Sequence, residues 1–170
     1  MRRHTVLTPI VALVALVVIW SPALTGAQQT PTAIVSVGVS GGPLGSGAPE
    51  AAPGYTLWLR HGAFEPGGIV PLHHHPGALV LYIESGELTY SVAEGEAVVT
   101  RAASEETPGP TEQIGPGKET TLRTGDSVFE QGVVHIARND GDTPVELLIA
   151  ALATTDQPFT QYHEPATPAA

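Results

Sequence analysis

Residues 67–86 read Gly-Gly-Ile-Val-Pro-Leu-His-His-His-Pro-Gly-Ala-Leu-Val-Leu-Tyr-Ile-Glu-Ser-Gly, and this stretch decides the fold. Three histidines sit between Pro71 and Pro76 and lead straight into an apolar run, Ala78 to Ile83, rich in strand-forming residues. Successive side chains of a strand point to opposite faces, so His73 and His75 share one face and His74 lies on the other. Two imidazoles spaced in this way can converge on one ion, and a third ligand must then come from elsewhere in the chain. His135 is the candidate. It lies in Gly132-Val133-Val134-His135-Ile136-Ala137-Arg138-Asn139, where apolar neighbours make an unpaired imidazole costly to bury.

Outward from this stretch, short runs of strand character recur: Tyr55 to Arg60, Ile69 to Leu72, Leu88 to Val92, Ala97 to Thr100, Ser127 to Glu130, Val133 to Ala137 and Val145 to Ala153. Gly or Pro punctuates nearly every gap, and no segment after residue 28 carries a helical repeat with caps. The expectation is a single all-β domain over residues 54–154, a sandwich or barrel of antiparallel strands. Residues 28–53, rich in Gly, Pro, Ser and Ala, read as a flexible linker with one edge strand at Ile34 to Val39. Residues 103–118 read as a surface loop, and the tail 155–170 as ending in disorder.

The N-terminus reads as a targeting segment. Arg2 and Arg3 precede an apolar run from Ile10 to Trp20, which is short for a bilayer span, and Thr25-Gly26-Ala27 fits a cleavage site. Residues 1–27 are therefore expected to be a signal peptide removed on export. The mature protein would be secreted or extracytoplasmic, without stable membrane insertion; an uncleaved N-terminal anchor is the alternative. The formal charge is −10, and loss of Arg2 and Arg3 makes the chain more acidic still, so nucleic acid and anionic membrane are poor partners. There is no cysteine, hence no disulfide, thiol chemistry or lipid-modified cysteine.

Taken together, these residues resemble the cupin family. Its first motif reads Gly, five residues, His-x-His, three or four residues, Glu, six residues, Gly, and Gly67, His73, His75 and Gly86 match in order and spacing. The second motif ends in Gly-x-x-His-x-x-x-Asn, met by Gly132, His135 and Asn139, with Gly125 and Asp126 opening it. The resemblance implies a small jelly-roll barrel holding a divalent transition metal on His73, His75 and His135. It implies a small molecule admitted at the barrel mouth, and a homodimer. Two departures stand out: Leu79 occupies the place of the family's glutamate ligand, and the second motif lacks its proline and is one residue short. Three imidazoles still make a facial set with open positions, but one without negative charge, and they do not choose among Fe, Zn, Mn, Cu or Ni. For an enzyme, an oxygenase is the first expectation; the alternative is a metal-free barrel that binds a small ligand without catalysis.

Other residues receive plainer readings. His74, His61 and His163 read as surface or strand-end side chains, Trp58 and Phe129 as core, and Tyr82 as outward-facing. Tyr90 faces either way, since nothing in the sequence fixes its phase. Asn139 is expected to support the turn into Asp140-Gly141-Asp142, and Glu84 and Glu87 to be solvated. No phosphate loop, paired catalytic carboxylates or serine nucleophile motif is present.

Overall fold

The computed structural model describes residues 34–104, 107 and 109–164. The signal-peptide expectation for residues 1–27 lies outside the described residues. In chain order the strands are β1 (Val37–Gly47), β2 (Tyr55–His74), β3 (Gly77–Ser85), β4 (Glu87–Glu94), β5 (Ala97–Thr100), β6 (Thr111–Ile114), β7 (Lys118–Arg123), β8 (Ser127–Gln131), β9 (Val134–Arg138), β10 (Val145–Thr154) and β11 (Gln161–Tyr162). Every pairing is antiparallel. The strand order is β6-β5-β8-β3-β10-β2-β9-β4-β7, with β1 and β11 also pairing with β2. The two ends of this path, β6 and β7, are consecutive in the chain, so the sheet rolls into a nearly closed jelly-roll barrel.

The long strand β2 makes the barrel possible. Its first half pairs with β10 and β1, and its second half with β9 and β11. Between the halves lies Glu65-Pro66-Gly67-Gly68, where Pro66 offers no N–H to a ladder and Gly67 has φ 76°. Two backbone bonds pin this corner: Gly67 N–H donates to the Asn139 carbonyl (3.0 Å), and Asn139 N–H to that of Gly68 (2.8 Å). Asn139 closes the arrangement as expected, its side-chain amide donating to the carbonyls of Phe64 (3.0 Å) and Thr143 (2.8 Å) while its oxygen accepts from Gly141 N–H (3.0 Å).

The interior follows from strict alternation. In β3, Leu79, Leu81 and Ile83 are buried while Val80 and Tyr82 face out, as expected for Tyr82. Leu88, Leu122, Val128, Val145 and Leu147 complete the core, each contributing roughly 1.5–3 kcal/mol by burial. Trp58, half-buried, packs against this cluster. Phe129 does not: it is 46% exposed, because Val128 pairs with Leu81 on the inner face and leaves the next residue outside.

Four stretches depart from the expected layout. Residues 37–47, read mostly as linker, form the edge strand β1; its many glycines disguise it because they give no alternation. Residues 111–114 and 118–123, in or beside the expected loop, are β6 and β7, each with a single buried apolar side chain, Ile114 and Leu122. In the tail, Gln161 and Tyr162 pair with His74 and His73 rather than trailing free.

Candidate metal centre

His73 lies next to the end of β2, His75 follows the strand, and His135 sits on β9. The three come together because His73 and His135 are direct register partners across β2 and β9. Their ring centroids lie 4.1 Å apart, and that of His75 lies 5.0 Å from His73 and 5.6 Å from His135. One ring nitrogen from each lies within 4.8 Å of the other two. His73 and His135 are only 3% and 2% exposed.

Two of the rings are held in a defined tautomer. His73 Nδ1 lies 2.7 Å from the Pro71 carbonyl oxygen and His75 Nδ1 2.7 Å from that of Phe159. A carbonyl only accepts, so both Nδ1 atoms carry the proton and both Nε2 lone pairs stay free. Nδ1 of His135 is buried without a hydrogen-bond partner. Burial pushes His73 down to about 3, aided by the neighbouring His75, and His75 down to about 4 against the pull of the Phe159 carbonyl. Burial, then the charges of His73 and His75, holds His135 well below the ordinary imidazole value. All three are neutral donors at neutral pH, the form a metal requires.

A carboxylate that sequence reasoning passed over lies beside them. Glu130 on β8 is 4% exposed, with Oε2 3.4 Å from His135 Nδ1 and Oε1 3.9 Å from His75 Nε2. Tyr90, whose phase was open, points inward, donates its hydroxyl to Glu130 Oε2 and stacks on His135 at 4.7 Å. Burial pushes Glu130 up to about 7 despite the Tyr90 bond. Burial and then the Glu130 charge raise the Tyr90 phenol, which stays protonated. The signal for Glu130 was the alternation Val128-in, Phe129-out, once the phase of β8 is known.

The histidines outside the cluster are less free than expected. His74 Nδ1 lies 2.7 Å from His163 Nε2, tying the tail to β2, while His61 stands 2.7 Å from Glu146. A cavity of about 250 Å³ opens in front of the three imidazoles, walled by Phe64, Val70, Leu81, Leu147 and Ile149, with Arg60 and Phe159 at its side.

Gly67, His73, His75 and Gly86 of the first motif and Gly132, His135 and Asn139 of the second thus build one barrel interior, with their imidazoles facing one cavity. The barrel is a jelly-roll that resembles those of the cupins. No family model matches the chain. Among curated proteins, it is 38% identical over 80 residues to auxin-binding protein ABP19b of Prunus persica, covering 46% of this chain and 30% of that protein. Identity to ABP19a of the same species is 35% over 80 residues, with the same coverage. The chain thus spans about a third of the length of the curated relatives it matches. Among solved structures, it is similar to a cupin 2 domain-containing protein from Halorhodospira halophila (TM-score 0.43, 16% identity, 66% of this chain and 61% of that one). It is also similar to a recombinant oxalate oxidase in complex with glycolate (TM-score 0.30, 20% identity, 84% and 62%).

Proposed function

We propose that this cupin binds a divalent transition metal on His73, His75 and His135 and admits a small anionic molecule to the cavity in front of it. The observation that carries this reading is the cluster itself: three neutral imidazoles, two with their tautomer fixed by a carbonyl, converge within 4.8 Å on a cavity wall. The residues fit such an ion, since three nitrogen donors leave further positions open as catalytic sites require. A bound metal would supply Lewis acidity toward an oxygen of the guest or a water.

The chain's own residues set what enters. The wall is mostly apolar, and Arg60 brings a cation to it. Among the described residues, no carboxylate lies within ion-pair distance of Arg60, whereas Arg101, Arg123 and Arg138 are all paired. Its guanidinium instead lies over the ring of Phe159, at 4.3 Å. An unpaired cation against an apolar wall favours a small carboxylate-bearing guest. For a catalytic form, an oxygenase using the open positions is the reading to test.

Elemental analysis of protein purified without a histidine tag tests the metal: near one equivalent is expected, and none after reconstitution favours the metal-free binding barrel instead. Arg60→Ala should weaken binding of a small carboxylate about tenfold or more with metal content unchanged; equal affinity removes Arg60 from the guest site. Export belongs to the same reading, and the N-terminus of protein recovered outside the cell should be Gln28.

A further inference from the structure

We propose that Glu130 is the carboxylate ligand of this metal centre, carried by β8 in place of the Leu79 position on β3. The proposal rests on the three-histidine reading and completes its ligand set. Leu79 and Glu130 are direct partners in the β3–β8 ladder, and partners in an antiparallel pair project to the same face. Both are buried on the inner face, at 3% and 4% exposure. A carboxylate moved from one partner to the other therefore still enters the same layer of the barrel, approaching from the neighbouring strand.

One separation agrees with this role. Donors bound at about 2.1 Å to a common ion lie about 3 Å apart when adjacent and about 4 Å when opposite. Glu130 Oε1 stands 3.9 Å from the free Nε2 of His75, while Oε2, 3.4 Å from His135 Nδ1, carries the Tyr90 bond. The charge balance points the same way. Glu130 is buried among neutral imidazoles, with the Tyr90 hydroxyl as its hydrogen-bond donor, and no Lys or Arg lies within ion-pair distance of it among the described residues. A buried carboxylate without a cation is costly, and an ion among the three imidazoles supplies one. The Tyr90 bond falls on Oε2, which leaves Oε1 free to face that ion.

The test uses the full chain, titrated with Zn²⁺ against a chromophoric chelator and with Co²⁺ followed by its visible absorption bands. Wild type should bind one equivalent, and His135→Ala should abolish binding. Glu130→Gln should weaken Zn²⁺ more than about a hundredfold, beyond the 10–100-fold typical of groups that merely orient a ligand, and should shift the Co²⁺ bands. The double variant Leu79→Glu/Glu130→Leu should recover affinity to within about tenfold of wild type, a rescue that no orienting role predicts. Glu130→Asp, which keeps an oxygen donor, should retain measurable binding if the double variant does not fold. Wild-type affinity and bands in Glu130→Gln overturn the proposal and leave the histidine reading standing, as does weakened binding with unshifted bands in Glu130→Gln. Failure of wild type to bind either metal overturns both.

Discussion

At the scale of single residues, the interior combines groups whose proton affinities are pushed in opposite directions. In the metal-free protein, burial holds His73 down to about 3, His75 down to about 4 and His135 well below the ordinary imidazole value, against 6.5 in the unfolded chain. As pH falls below about 6.5 the unfolded chain takes up protons that the native state refuses, so stability falls. Glu130 works in the other sense. Raised from 4.5 to about 7, it contributes stability present below about 4.5 and lost as pH rises through 7. Three imidazoles outweigh one carboxyl, so the urea midpoint of chelator-treated protein should peak near pH 6.5, drop steeply toward pH 4 and gently toward pH 8. Glu130→Gln should remove the decline above pH 6.5 and steepen the rise between pH 4.5 and 6.5, where Glu130 opposes the histidines; a midpoint that rises monotonically from pH 5 to 8 in wild type would contradict the buried placement of Glu130. Tyr90→Phe removes the hydroxyl that donates to Glu130 and should cost about 1–3 kcal/mol by chemical denaturation.

Elements show which parts of the fold could be read from sequence alone. Strands β3, β4, β8, β9 and β10 were legible because strong alternation or apolar runs bounded by Gly and Pro leave few other arrangements. Strands β1, β6, β7 and β11 were not, since glycines, threonines and charged residues on their outward face erase the pattern. The three-histidine cluster was legible because the alternation of β2 and the two cupin-like motifs are local. Glu130 was hidden for a different reason: its partnership with Leu79 is a matter of register, and register between strands almost fifty residues apart is fixed by tertiary structure, not by either strand's own sequence. Strand β11 matters beyond its size. Phe159 holds His75 in place, while His163 and Tyr162 bond to His74 and Ser36. Truncation after Asp156 should therefore weaken metal binding about 10–100-fold in chelator competition while far-UV circular dichroism stays that of a β-barrel; unchanged affinity would show that His75 needs no such support.

Among the described residues, the barrel as a whole carries a row of apolar side chains on one outer face. Leu59, Ala150, Val80, Phe129 and Val98 are successive register partners across β2, β10, β3, β8 and β5, and Leu59, Val80 and Phe129 are each more than two-fifths exposed. Single exposed apolar residues need no explanation, but a continuous row across five strands does. The homodimer implied by the cupin resemblance would cover it. Sedimentation velocity at micromolar concentration should then show a dimer that Phe129→Lys shifts to monomer. A wild-type monomer would leave the row without that partner.

The order in which the chain is made adds one consequence of the bond between the Phe159 carbonyl and His75. During synthesis, residues 73, 75 and 135 emerge well before the segment that fixes the second of them, so the three imidazoles cannot reach their final arrangement until residue 159 has been added. A growing chain stalled short of residue 159 would carry the three histidines without the carbonyl that fixes the ring of His75.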